Sequence, residues 1–462
     1  MNGISEAEAR GAGRVFVKTY GCQMNERDSE SIAALLVRSG YTLAADESGA
    51  DIVIVNTCSV REKAEDKAIG KLGLLASARG RRGRIVGAVG CMVQRLGGDA
   101  AARVKGLDFA VGSHRLHTLP AVIDAVRAGR GPIVDAGEPA GDREPLTEHL
   151  SGGPAAFVNI LLGCDRYCTY CIVPHVRGRE WSRPGAGVVR EVEALAARGV
   201  REVTLLGQSV MAYGRTNAVW PADHASSRGF TEALPRLLEA VAAVPGLRRI
   251  RFTSGHPVGC SAELGRAMAE VPGVCDHLHL PVQSGSDRVL KRMHRGYTAA
   301  DYLAAVARLR EAVPTLALTT DIIVGFPGET QDDFERTRDL MEAARFDNAF
   351  IFKYSPREGT PAARWEDDVP AEEKLRRNHE LLRDQDRRGL ALNQALVGTT
   401  AAVLAEGPSL RNKERWAGRT TTNRIVIFEP RPGSGAGDIV KVHIDRAAAQ
   451  TLYGSLADGQ TA

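Results

Sequence analysis

The sequence predicts an α/β protein in three parts: an N-terminal parallel α/β domain over residues 13–128, a central partial (β/α)6 barrel over 150–382, and a small β-barrel over 385–447. Three observations carry this reading. Runs rich in β-branched residues alternate with helical patterns from residue 14 to about 380. A Gly/Pro-rich, acidic stretch at about 129–153 splits that alternation in two and reads as a linker. From about residue 385 the pattern changes to short alternating strands divided by turn residues.

In the first part, RVFVKTYGC reads as a strand, and ERDSESIAALLVRSG as an amphipathic helix ending at Gly40. DIVIVNTC is a second strand, REKAEDKAIGKLGLLASAR a second helix and RIVGAVGC a third strand. In the second part the strand candidates are AAFVNILLGC, EVTLLGQ, RRIRFTS, HLHLPVQSG, LTTDIIVGF and NAFIFKYS. Helical stretches such as VVREVEALAARG and AADYLAAVARLREAV separate them. Six such units make an open or closed parallel barrel whose chemistry belongs at the C-terminal strand ends. EEKLRRNHELLRDQDRRGLALNQAL is a charged helix leading out. TTAAVLAEG, RIVIFEP and DIVKVHIDR then form the small β-barrel.

The chain has 462 residues, 44% of them apolar, and a formal charge of +4. That charge does not mark a nucleic-acid binder, so any such surface must be a local patch. The opening MNGISEAEARGAGR has no apolar core, so no secretory signal is expected. No run of about 20 apolar residues exists, so no membrane span is expected and the location expected is the cytoplasm. Thiols stay reduced there, and eight cysteines point to metal or catalysis rather than disulfides.

Cys164, Cys168 and Cys171 lie at C-x3-C-x2-C spacing just after the first barrel strand. Three thiolates so placed can hold an edge of an iron–sulfur cluster. Zinc is the competing reading, with His175 completing the set. Cys22, Cys58 and Cys91 are far apart in sequence, yet each ends a predicted strand. In a parallel sheet those ends share one edge, where such folds place ligands. A second metal site follows; the plain alternative is three small core residues.

The segments KTYGCQMNERDSE, NTCSVREKAEDKA, GCMVQR, GCDRYCTYCIVPHVRGRE, LLGQSVMAYG, HLPVQSGSDRVLKRMHRGY, TDIIVGFPGET and YSPREGTPAA resemble the methylthiotransferase family of radical S-adenosylmethionine enzymes, from about residue 14 to about 447. The resemblance implies two 4Fe–4S clusters, one on each cysteine triad, and S-adenosylmethionine as cofactor. Its amino and carboxylate groups would take the fourth iron of the cluster at Cys164, Cys168 and Cys171. The reaction implied is insertion of a methylthio group at carbon 2 of an N6-isopentenylated adenosine beside the tRNA anticodon. The family's other branches, acting on a ribosomal-protein aspartate or on threonylcarbamoyl-adenosine in tRNA, are the alternatives. An electron donor such as flavodoxin or ferredoxin, a sulfur or cluster donor, and a monomeric enzyme are implied too.

The resemblance also places cofactor contacts at Tyr170, beside Cys171, at Gln208 after the second barrel strand, at Gln283 and Ser284 after the fourth, and at Gly325 in the fifth-strand motif, where Asp321 replaces the expected glycine. The alternative is that these are turn and cap residues. Cys260 and Cys275 match no ligand spacing and read as buried structural thiols; His256, His277 and His279 read as cavity or core residues. Around LRNKERWAGRTTTNRIVIF the tail holds Arg411, Lys413, Arg415, Arg419 and Arg424 against one acid, Glu414. A basic loop bearing a tryptophan on a small barrel can bind RNA through phosphates and stacking. The tail resembles the TRAM domain, and GRTTTNR resembles the tRNA-modifying branch.

Overall fold

A computed structural model describes residues 13–77, 83–138, 146–150, 152–221 and 225–457. The opening stretch 1–12, residues 78–82 with the last two of the second predicted helix, and the middle of the predicted linker, 139–145, lie outside the described residues.

The N-terminal sheet forms because its strands bury both faces. Every residue of β3 (Ile52–Thr57) is buried. Its period-two alternation sends Val53 and Val55 into one apolar layer and Ile52 and Ile54 into the other. β1 (Arg14–Thr19), β2 (Thr42–Leu43), β4 (Ile85–Gly90), β5 (Phe109–Gly112) and β6 (Ile133–Asp135) complete an all-parallel sheet in the order β2-β1-β3-β4-β5-β6. β6 lies inside the stretch expected to be linker. Its three residues are too few to show an alternation, and it forms because the edge of β5 offers it a ladder. Helices Gln23–Arg38, Glu62–Ala76, Cys91–Leu96 and Leu119–Arg127 make the connections.

All six expected barrel strands are present. β7 (Ala155–Asn159) is followed by β8 (Leu161–Leu162) and β9 (Trp181–Ser182), a short antiparallel pair. β10 (Glu202–Leu206), β11 (Arg249–Phe252), β12 (His277–His279), β13 (Ala317–Val324) and β14 (Asn348–Lys353) continue the β–α rhythm. They form two three-stranded parallel sheets, β11-β10-β7 and β12-β13-β14, so the barrel is partial. A single parallel bridge, Ile250 to Val274, links β11 to the stretch before β12. Helices Gly185–Ala197, Ala233–Ala242, Ala262–Glu270, Ala299–Ala312 and Gln331–Ala344 cover the outside, and Ala371–Gln394 packs on β14.

The tail barrel is closed in the order β15 (Thr400–Pro408), β16 (Trp416–Arg419), β17 (Ile425–Phe428), β19 (Thr451–Leu456) and β18 (Ile439–Ala447). β19 lies beyond the expected boundary at 447, and closure without it would leave β17 and β18 with open edges. The barrel docks against the N-terminal ends of the core strands, away from their C-terminal rim. Buried Arg249 donates to the Arg419 and Ala402 carbonyls at 2.6 and 3.0 Å. Buried Arg251 donates to those of Thr421 and Thr420 at 2.9 and 2.6 Å and pairs with Glu202 at 2.8 Å.

One carboxylate fixes how the fourth and fifth core units meet. Asp333 sits at the third position of helix Gln331–Ala344, whose Thr330 cap completes a capping box. It also accepts from the Ser286 hydroxyl at 2.5 Å, on the β12 side, and pairs with Arg288. Burial pushes its pKa up, but the Arg288 guanidinium, the Ser286 hydroxyl and the Thr330 donors outweigh burial and hold it well below the usual carboxylate range. A lowered carboxyl stabilises the fold above its unfolded pKa and loses that stabilisation as pH falls towards the folded value. Asp333→Asn is therefore expected to cost about 2–3 kcal/mol near pH 7, read as a lower urea midpoint. The gap to wild type should narrow below about pH 4; a gap independent of pH would contradict this role.

Candidate paired thiol sites at the strand ends

Cys22, Cys58 and Cys91 each stand one residue or a few past the C-terminal end of a neighbouring strand of one sheet: Cys22 after β1, Cys58 after β3, Cys91 after β4. The sheet order puts β3 between the other two, so parallel pairing brings the three ends to one edge. Cys22 caps the helix Gln23–Arg38, its backbone amide donating to Asn25 Oδ1 at 3.3 Å. Asn25 is fully buried and ties the loops together, donating to Asn56 Oδ1 and the Thr57 carbonyl, both at 3.2 Å. The Val60 amide donates to Cys58 Sγ at 3.3 Å. Cys91 opens the helix Cys91–Leu96 directly after Gly90.

Burial pushes the Cys91 thiol up to about 12, with Arg177 pulling the other way. Burial also raises Cys58, reinforced by the charge of Cys22. Empty, such thiols keep their protons; a metal that binds them displaces those protons.

The second triad lies on the loop after β8. Gly163 precedes it with a φ of 75°, and a Cβ there would lie 2.1 Å from the Arg179 carbonyl oxygen, so the approach to Cys164 requires glycine. The Cys164 amide donates to the Gly178 carbonyl at 3.1 Å and that of Cys171 to Cys168 at 3.0 Å. Burial, then the charge of Cys168, pushes Cys171 up to about 12, and burial raises Cys164. Arg295, buried, donates to Cys168 Sγ at 3.3 Å, to the Pro281 carbonyl at 3.0 Å and towards Tyr170 Oη at 3.5 Å.

Among the described residues, no three His, Cys, Asp or Glu side chains surround one common metal-ion position. His175 is exposed. A single tetrahedral zinc needs its thiolates about 2.3 Å from one centre. A four-iron cube carries each thiolate on a different iron and holds them farther apart. All-sulfur donors serve either group; thiols without one common centre and the arginines donating to Cys91 and Cys168 fit the cube.

One triad packs against the segment that follows the other. Cys91 packs in one buried cluster with Ile172 and Val176, on the segment that follows Cys171. Arg177, at the end of the five-residue helix Val173–Arg177, donates from Nε to Cys91 Sγ at 3.2 Å and pairs with Asp28 at 2.6 Å. Arg177, Arg295 and Asp28 were not singled out in the sequence. A lone arginine closing the apolar run IVPHV six residues after a cysteine was the one available signal.

The expected cofactor contacts fare differently. Gln208 Oε1 and Ser209 Oγ, at the end of β10, are buried without a hydrogen-bond partner, as a ligand-facing pair would be. Gln283 is held at a φ of 75° between the Asp321 carbonyl and the Ile323 amide, each 2.9 Å away. That left-handed backbone costs about 1–3 kcal/mol and is typical of ligand clamps. Tyr170 packs edge-on against Phe326 at 6.4 Å, behind the triad. The Ser284 hydroxyl meets that of Thr337 at 3.3 Å and accepts from the Ser286 amide at 3.2 Å, which holds the turn. Gly325 gives its amide to Glu329 at 3.0 Å and, at a φ of 68°, leaves room for Lys374; both are local roles. Cys260 and Cys275 are buried in the core, and burial pushes them up to about 12 and about 11. His277 and His279 both meet the Thr319 hydroxyl at 3.1 Å, with His279 3.4 Å from Asp321. Buried His256 is pushed down to about 2, chiefly by burial.

Within the tail's basic patch three arginines have acidic partners in the protein. Arg424 pairs with Asp347 of the core, Arg419 with Glu406 at 3.0 Å, and Arg415 with Glu429 at 2.9 Å. Trp416 begins β16 and packs on the barrel's own core. The GRTTTNR backbone is engaged by Arg249 and Arg251 and serves as an interdomain contact.

Family models match three parts of the chain: the Radical SAM superfamily over residues 158–341, the uncharacterized protein family UPF0004 over 14–112, and the TRAM domain over 394–457. The chain is 44% identical over 458 residues to a protein of Akkermansia muciniphila named tRNA-2-methylthio-N(6)-dimethylallyladenosine synthase, covering 96% of this chain and 98% of that one. A protein of the same name from Moorella thermoacetica is 46% identical over 445 residues, with 96% and 98% covered. Among solved structures, the radical S-adenosylmethionine methyltransferase TsrM from Kitasatospora setae shares the fold, with a TM-score of 0.53 at 16% identity, covering 76% of this chain and 77% of that one. At that similarity and near-complete coverage, the chain belongs to the family of tRNA-2-methylthio-N(6)-dimethylallyladenosine synthases within the radical SAM superfamily.

Proposed function

We propose that this enzyme adds a methylthio group to carbon 2 of an N6-dimethylallyl (isopentenyl) adenosine beside the tRNA anticodon. The observation that carries the reading is the packing of Cys91, of one all-thiol site, against Ile172 and Val176, on the segment that follows the other. Cys164, Cys168 and Cys171 hold one 4Fe–4S cluster and Cys22, Cys58 and Cys91 a second. When bound, S-adenosylmethionine and the clusters supply the radical, methyl and sulfur chemistry. The chain's own residues do the rest. Gln208 and Ser209 offer unpaired buried polar atoms to the cofactor, and Gln283 holds the rim after β12 in a fixed, strained form. The apolar Cys91–Ile172–Val176 contact shields the Cys91 side of its site from water. Carbon 2 of adenine carries a strong, non-acidic C–H bond, so no general base is assigned.

An electron donor such as flavodoxin or ferredoxin, a sulfur or cluster donor, and a monomeric cytoplasmic enzyme belong to the same reading. Among the described residues no helix is long and apolar enough to cross a membrane.

For RNA this reading takes in a groove of the tail barrel beside the basic turn that carries Arg411, Lys413 and Arg415. A shallow groove of about 460 Å³ is lined by Arg415, Glu429, Arg431, Arg446 and Tyr453. The Arg446 guanidinium lies 3.8 Å over the Tyr453 ring, a flat cationic platform for a base and its phosphate. Arg411 and Lys413 stand exposed on the turn leading to Arg415. Arg446→Ala with Tyr453→Ala should weaken tRNA binding roughly tenfold and flatten its salt dependence. Equal affinity and slope would move RNA binding off this face. Deleting the tail is a poorer test, because it strips Arg249 and Arg251 of their partners.

The direct test is mass spectrometry of nucleosides after anaerobic incubation of cluster-loaded protein with S-adenosylmethionine, a reductant and isopentenylated tRNA. A 2-methylthio nucleoside should appear and be lost in Cys22→Ala. S-adenosylmethionine cleavage without a tRNA product would redirect the reading to a ribosomal-protein aspartate or a differently modified base.

A further inference from the structure

We propose that Arg177 is a positioning residue that sets the reduction potential of the cluster held by Cys22, Cys58 and Cys91, in opposition to Asp28. The inference rests on the reading of a second cluster given above. Three contacts carry it. Arg177 Nε donates to Cys91 Sγ at 3.2 Å. One terminal nitrogen of the same guanidinium donates to Asp28 Oδ2 at 2.6 Å. Both side chains are buried, 8% and 9% exposed, so water screens little of either charge.

The location is as informative as the distances. Asp28 stands six residues after Cys22, on the helix that Cys22 caps. Arg177 stands six residues after Cys171, on the helix that follows the other triad. The Ser113 hydroxyl holds that helix from the N-terminal domain, donating to the Val176 carbonyl at 2.5 Å. One ion pair thus spans the segments leading out of both triads and ends on a ligand sulfur of one of them.

The sign follows from electrostatics. Three thiolates make the cluster site negative, and a one-electron reduction adds a further negative charge. A buried cation that also donates to a ligand sulfur favours the reduced form and raises the potential. A buried carboxylate behind that cation offsets part of the effect. Were the pair only an interdomain fastener, removing either partner would loosen the same contact and act on the cluster in the same direction.

The test is a redox titration followed by electron paramagnetic resonance. It uses full-length protein carrying Cys164→Ala, Cys168→Ala and Cys171→Ala, so that one cluster remains, with iron and sulfide counted for each sample. Arg177→Gln should shift the midpoint to more negative potential, Arg177→Lys should shift it less, and Asp28→Asn should shift it to more positive potential. Unchanged midpoints, or shifts of the same sign for Arg177→Gln and Asp28→Asn at full iron loading, would overturn the proposal. If Arg177→Gln fails to load iron, Arg177→Lys and Asp28→Asn decide it by the same opposite signs. A parent that binds no iron at all overturns the second-cluster reading itself, and this inference with it.

Discussion

Everything near the candidate site depends on burying sulfur-rich, negatively charged ligands between two domains without leaving their charge unanswered. Each triad has its own buried arginine, Arg177 at Cys91 and Arg295 at Cys168. Charged groups out of water need partners, and each arginine also donates to a further buried acceptor, Asp28 for one and the Pro281 carbonyl for the other. The folds on either side exist to deliver these contacts. A parallel sheet brings Cys22, Cys58 and Cys91 to one edge, and a partial barrel presents Cys164, Cys168 and Cys171 at its rim.

A second set of buried charges fastens the N-terminal domain to the core beside the sites. Arg27 donates to the Glu148 carbonyl at 2.9 Å, and His149 lies 2.7 Å from Glu191, which also pairs with Arg183 at 2.7 Å. Arg95 adds contacts to Glu65 and Glu358, beside the Cys58 loop. On the far side of the core, Arg249 and Arg251 hold the tail barrel over the N-terminal strand ends. The chemistry-bearing rim and the tail docking surface are thus at opposite ends of the same strands, and RNA contacts on the tail must come from its outer face.

Much of this was legible in the sequence because strands and helices alternate with a regular period. Cysteines at the ends of VFVKTYGC, DIVIVNTC and RIVGAVGC converge for a reason any parallel sheet supplies. What was not legible depends on partners distant in sequence. Arg424 looked like an RNA contact until Asp347, 77 residues away, claimed it. Trp416 looked like a stacking platform, but it is partly buried against the core of the barrel it belongs to. Ser284 meets the hydroxyl of Thr337, 53 residues away, which its own motif does not announce. β6 is too short to signal itself and exists because β5 has a free edge. Arg177 carries no motif, and its role follows from where the chain folds it.

The central claim is that the two thiol sites hold two clusters in contact range of each other. The measurement that tests it most directly is electron paramagnetic resonance of the fully reduced, doubly loaded protein. Magnetic interaction between the clusters should broaden or split the wild-type signal, and vanish when either triad is replaced by alanine. A wild-type spectrum equal to the sum of the two single-triad spectra would contradict the claim.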